Sequence, residues 1–107
     1  MWKKATGLDG TEFDSISERN IADWLYLNGI EYETHKPLPK PSKQKCDFFL
    51  PSFNLWVEYD GMGKYRGSRG LEQVSRKEKI YQTNNFKYVI LVRENWKEKL
   101  YDAIFSS

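Results

Sequence analysis

Cys46-Asp47-Phe48-Phe49-Leu50-Pro51, followed by Leu55-Trp56-Val57-Glu58-Tyr59-Asp60-Gly61, decides how this chain is read. Both stretches are short and apolar, and Pro51-Ser52-Phe53-Asn54 joins them as a hairpin. Their acidic residues stand among Phe, Leu, Trp, Val and Tyr, where a carboxylate is costly unless a cation or donor compensates it. Side chains alternate along a strand, so Glu58 and Asp60 project from one face and Val57 and Tyr59 from the other. If Asp47 faces the same way, three carboxylates converge, a donor set that suits Mg²⁺ or Mn²⁺. In the plainer alternative Glu58 and Asp60 mark the strand's exposed end and Asp47 pairs with a lysine.

Upstream, Ser15-Ile16-Ser17-Glu18 has the form of a capping box, so a helix is expected from Ser15. Ile21, Trp24, Leu25 and Asn28 recur at helical spacing, and Gly29 closes the helix. Ile30 to His35 alternates as a strand, with Glu31, Glu33 and His35 on one side. Lys36 to Lys45 holds Pro37, Pro39 and Pro41, which favour an extended loop. Residues Met1 to Asp14 show no periodicity and are read as an irregular arm.

Downstream, Gly61 to Gly70 contains four glycines and reads as a loop. A helix is expected over Leu71 to Thr83, a doubly covered strand over Tyr88 to Val92, and a last helix over Glu94 to Phe105. The expected fold is a single α/β domain over residues 15–107, a mixed sheet flanked by helices in the order α-β-β-β-α-β-α, preceded by the arm of residues 1–14.

The 107 residues leave room for one core, to which aromatics contribute heavily at 16% of the chain. Seventeen Lys and Arg against fifteen Asp and Glu give a net charge of only +2, too weak by itself to indicate a nucleic-acid partner. One cysteine, Cys46, excludes an internal disulfide and a cysteine-based zinc cage. No stretch is long and apolar enough for a membrane span, so a cytoplasmic protein of a bacterial, archaeal or phage-infected cell is expected.

Ser17-Glu18, Ile21-Ala22-Asp23-Trp24-Leu25, Gly29-Ile30-Glu31-Tyr32 and the two strands resemble the PD-(D/E)XK, restriction-endonuclease-like nucleases. Within that superfamily the very-short-patch-repair endonucleases and helicase-associated nuclease modules are the most similar in flavour. The resemblance spans about Ser15 to Val92. It implies a restriction-endonuclease-like sheet and hydrolysis of phosphodiester bonds in DNA, including branched or repair intermediates. It implies metal ligation by Glu18, Asp47 and Glu58. Two positions depart from the pattern. Cys46 stands where a proline usually precedes the aspartate, and Asp60 replaces the usual lysine two residues after the glutamate.

That lysine would orient and help deprotonate the attacking water. On the 71–83 helix Lys77 falls within the apolar arc of Leu71, Val74, Ile80 and Tyr81, with Gln73 one turn earlier and Lys79 pointing away. Lys77 is therefore the expected substitute, Gln73 its neighbour, Asp60 an auxiliary carboxylate, and Lys64 the reserve cation. The bland reading of Lys77 is a snorkelling side chain, and that of Glu18 a helix cap alone. His35 is read as an ordinary strand residue with a general-base role as its alternative.

Lys36, Lys40, Lys43 and Lys45 of the proline loop, with Lys64, Arg66 and Arg69 of the glycine loop, are the expected phosphate contacts. Tyr65 could stack on a base. Cutting both strands of a duplex would require a homodimer, with Trp2, Phe13 or Trp96 as exposed contacts. Two rivals stand beside the nuclease: a catalytically impaired module that holds DNA or a protein partner, and a nuclease that processes RNA.

Overall fold

A computed structural model describes residues 4–60 and 68–106, residues 68–73 by backbone alone. In chain order the elements are β1 (Ala5–Thr6), β2 (Glu12–Phe13), α1 (Ile16–Leu27), β3 (Glu33–Thr34), β4 (Phe48–Leu50), β5 (Leu55–Asp60), α2 (Ser68–Thr83), β6 (Lys87–Val92) and α3 (Trp96–Phe105), with a 3₁₀ turn at Pro51–Phe53. The fold is α/β. A four-stranded sheet runs β3-β4-β5-β6, antiparallel except for the parallel pair of β5 and β6. Parallel strands cannot be joined by a tight turn, and α2 supplies the long crossover they need.

Strand alternation sorts the core into two layers. Phe48, Leu50, Leu55, Val57 and Leu91 face α1 and α3, where they meet Ile21, Ala22, Leu25, Leu100 and Ile104. Phe49 and Trp56 face the other way and pack with Leu38, Cys46 and Tyr81, joined by Ile80, Phe86 and Tyr88. The helices thus cover both faces of one sheet.

The helix ends follow from local chemistry. Ser15 is extended, and its hydroxyl accepts from the Glu18 backbone N–H at 3.1 Å. Instead of reaching back to the Ser15 backbone as in a full capping box, the Glu18 carboxylate accepts from the same hydroxyl at 3.1 Å. At the other end Gly29 has φ +68, and the Ile30 N–H reaches Leu25 O at 2.9 Å. Helix α2 stops in the same manner, with Asn85 at φ +57 and the Phe86 N–H on Tyr81 O at 2.8 Å. These are Schellman closures, and each drops an apolar residue, Ile30 or Phe86, into the core layer on its side.

Several expectations are corrected. The arm is a short hairpin, β1 against β2, turning at Gly10 with φ +88. It is ordered because Phe13 at its end is only 4% exposed and joins the core. Of Ile30 to His35 only Glu33–Thr34 forms a ladder, and His35 leaves it with φ +56. Helix α2 starts at Ser68, three residues before the expected Leu71. Helix α3 starts at Trp96 rather than Glu94, since Asn95 is its cap and its carbonyl accepts from the Lys99 N–H.

The proposed dimer contacts change accordingly. Phe13 is buried, Trp96 is half-buried with its ring edge-on to Trp24, and Trp2 lies outside the described residues. No described helix is long and apolar enough to cross a membrane.

Candidate functional site

Among the described residues Glu58 is the one buried charged side chain, 3% exposed. Strand β5 places it there, because Trp56, two residues earlier, faces α2 and Glu58 must face the same way. Helix α2 answers with two residues one turn apart. The Lys77 ammonium lies 3.0 Å from Oε1 of Glu58, and the Tyr81 hydroxyl donates to Oε2. Tyr81 is fully buried, its ring against Trp56 and stacked on Tyr88. Both carboxylate oxygens are therefore held from the same helix.

Asp47 sits in a bend immediately before β4. Its Oδ2 accepts from the Tyr59 backbone N–H at 2.7 Å, so the side chain satisfies a donor of β5 beyond the β4–β5 ladder, whose last pair is Phe48 with Val57. This brings the Asp47 carboxylate beside Glu58. The charges register that closeness: the Glu58 carboxyl is pushed up to about 7, first by burial and then by the negative charge of Asp47, while Lys77 and Tyr81 pull the other way. Glu18, half-buried at the start of α1, is also raised, first by burial, with Asp47 adding to it and Ser15 and His35 opposing. Asp47 thus interacts with both glutamates. The buried Cys46 thiol nearby is pushed up to about 12 by burial, which leaves it protonated and unsuited to attack.

Of the expected site residues, Asp47, Glu58 and Lys77 are brought together, with Glu18 joined electrostatically through Asp47. Asp60 is half-buried at the end of β5, two residues past Glu58. The side chains of Gln73 and Arg69, and all of Lys64, Tyr65 and Arg66, lie outside the described residues. His35 is exposed. Lys36 is half-buried, with its ammonium 4.8 Å from the Phe49 ring centre and 5.9 Å from that of Trp56, so aromatic faces hold it. Lys40, Lys43 and Lys45 are exposed. Sequence reasoning gave Tyr81 a packing role only. Its spacing of four residues from Lys77 was the available signal, since such a pair shares a helix face.

The donors present suit a divalent cation in kind. Asp47, just before β4, and Glu58, on β5, offer carboxylate oxygens of the kind such an ion takes, and the Glu58 carboxyl is raised first by burial and then by the charge of Asp47. Among the described residues, however, no three His, Cys, Asp or Glu side chains converge closely enough to hold an ion together. Glu58 is also engaged on both oxygens, so ligation would require Lys77 or Tyr81 to yield one. The cluster lines neither of two surface grooves found elsewhere on the molecule.

Comparison of the chain with protein families, curated proteins and solved structures returns no match.

Proposed function

We propose that the protein is a metal-dependent phosphodiester hydrolase acting on DNA, with a restriction-endonuclease-like sheet as its scaffold. The observation that carries this reading is the Lys77 ammonium 3.0 Å from the buried Glu58, beside Asp47. Folding alone gains little from such a group, because a buried ion pair seldom outweighs the desolvation of its two charges. Perturbed acids next to a specific cation are the usual mark of a working site.

In this reading Asp47 and Glu58 hold Mg²⁺ or Mn²⁺, with Glu18 and Asp60 as auxiliary acids. A bound divalent ion supplies Lewis acidity towards a phosphate oxygen. The chain's own residues do the rest. Tyr81 fixes one Glu58 oxygen, the Tyr59 N–H fixes Asp47, and Lys77 moves from Glu58 to orient the attacking water or the phosphate. Lys77, carried on α2, takes the place of the lysine that Asp60 displaces from β5. A second copy of the chain would be needed to cut both strands of a duplex.

The test is cleavage of supercoiled plasmid, branched DNA and RNA with Mg²⁺, Mn²⁺ or chelator. Metal-dependent nicking of DNA, abolished in Lys77→Met and Glu58→Gln, is the expected result. A second reading has its own observation, the engagement of both Glu58 oxygens by α2. If that engagement never yields to metal, the protein is a non-cutting module that binds DNA or a protein partner, and DNA or partner binding without product in any metal would establish it.

A further inference from the structure

His35 stands at a break that two strands share. Thr34 pairs with Phe48 on one side of it, and on the other the Cys46 N–H reaches Lys36 O at 3.0 Å and Pro37 bridges Lys45. The register thus runs through the break and sets His35 opposite Asp47. The alternation of faces does not run through. Glu33 pairs with Phe49 and shares its face towards α2, yet Lys36, three residues on, lies over the Phe49 and Trp56 rings on that same face. Cys46 and Phe49, also three apart, both belong to the α2 layer. In an unbroken strand such residues face opposite ways. Both strands therefore turn over at His35 and Asp47, and His35 takes up its half of the turn with φ +56.

This backbone strains any residue with a side chain, whereas glycine adopts it freely. Strain of that kind gathers at working sites. Packing does not explain the imidazole, which is exposed and makes no hydrogen bond among the described residues. It does act on the site, because it is one of the groups that oppose the rise of the Glu18 carboxyl. Asp47 thus has a basic side chain on either hand, Lys77 at Glu58 and His35 across the strand break. An anionic substrate that approaches several carboxylates needs donors on both flanks.

We propose that His35 is the phosphate-binding residue on the Glu18 flank of the site, its ring N–H donating to a phosphate oxygen of the strand that Lys77 engages from the Glu58 flank. The inference rests on the hydrolase reading of the Glu58 cluster and adds a substrate contact of its own. Neutral imidazole carries one ring N–H and imidazolium two, so the contact forms in either state. It positions the strand without reading its bases.

His35 is the only histidine of the chain, so ring signals in long-range ¹H–¹⁵N NMR spectra belong to it alone. The experiment titrates ¹⁵N-labelled protein with single-stranded and duplex DNA at low salt, in chelator so that no cleavage intervenes, beside fluorescence anisotropy of the same DNA. The ring nitrogens are expected to shift and to saturate along the anisotropy curve. His35→Gly should lose at least about tenfold in affinity, the effect of one hydrogen bond to a charged group. Its urea midpoint should stay near that of wild type, since relieved strain offsets the freer unfolded chain. His35→Asn, which tolerates the left-handed backbone and keeps a donor on a shorter side chain, should fall between the two in affinity.

Ring signals unmoved at any DNA concentration overturn the inference, and so does wild-type affinity in His35→Gly. Unmoved signals beside Mn²⁺-dependent cleavage by wild type would remove His35 and leave the hydrolase standing. Shifted signals and weakened binding in His35→Gly, without cleavage in any metal, would keep the contact and remove the hydrolase.

Discussion

Lys77 and Glu58 form a 3.0 Å ion pair in which the acid is still hard to ionise. Burial and the charge of Asp47 outweigh the ammonium and the Tyr81 hydroxyl together, and the Glu58 carboxyl ends at about 7. The pair is also unequal in exposure, with the Lys77 side chain 18% open and that of Glu58 5%. Lys77 can therefore leave for water or for a ligand, whereas Glu58 cannot. That asymmetry suits a cation that must exchange partners during a reaction.

Removing the lysine should cost stability in a pH-dependent way. Breaking a buried pair typically costs about 3–5 kcal/mol when a charge is stranded, but Glu58 can escape by binding a proton. Lys77→Met is therefore expected to destabilise the protein by about 1 kcal/mol or less at pH 5 and by more at pH 8, where Glu58 must hold a proton that the unfolded chain has released. Urea unfolding at the two pH values checks this, and any DNA cleavage should fall by at least about a hundredfold.

Tyr81→Phe removes one hydroxyl and keeps the ring between Trp56 and Tyr88. Loss of a hydrogen bond to a charged group should cost about 2 kcal/mol at pH 8 and less at pH 5, where Glu58 is neutral. Mn²⁺ titration by calorimetry should show weaker binding, because one Glu58 oxygen loses its anchor. Unchanged metal affinity would reduce Tyr81 to packing.

The two elements that carry this chemistry were unevenly legible in the sequence. Strand β5 was readable because Trp56, Val57, Glu58 and Tyr59 alternate, and a charge in such a run must be compensated. Lys77 was readable because α2 is amphipathic and a lysine inside its apolar arc needs a reason. The role of Tyr81 was hidden, since a buried tyrosine looks alike whether it packs or donates. Residues 1–14 misled through their lack of periodicity. A two-residue ladder is too short to show alternation, and Phe13 enters the core by tertiary contact rather than by pattern. The bend at Asp47 was equally invisible, because the bond from Tyr59 N–H to its side chain joins residues on separate strands.

The start of α1 separates structure from function at Glu18. Ser15→Ala removes the acceptor for the Glu18 N–H and should cost about 1 kcal/mol. Glu18→Gln keeps a side-chain acceptor for the Ser15 hydroxyl and should leave stability within about 0.5 kcal/mol of wild type. If Glu18 assists the site, that second variant alone lowers cleavage at full stability. Thermal melts set beside plasmid nicking distinguish the two outcomes.

Gly29→Ala is the matching control for backbone. An added Cβ would meet nothing within 4 Å, so the cost arises only from holding φ +68 with a side chain. That penalty is about 1–2 kcal/mol, with no change in cleavage under conditions where the protein stays folded. A larger loss measured by urea unfolding would mean that the α1 closure supports more than its own helix end.

Glu58→Gln gives the sharpest pH signature. With its carboxyl raised to about 7 from an ordinary 4.5, native Glu58 holds a proton that the unfolded chain has already released. Its contribution to stability is thus fully present below about pH 4.5 and is lost as the pH rises through 7. The glutamine variant stays neutral throughout. Relative to wild type, its stability should therefore climb between pH 5 and pH 8, by at most about 3 kcal/mol. Unfolding free energies at several pH values give that slope directly. A flat difference would mean that Glu58 is ionised throughout the range, with Lys77 and Tyr81 outweighing burial, and the case for an unsatisfied acid in need of a cation would fall with it.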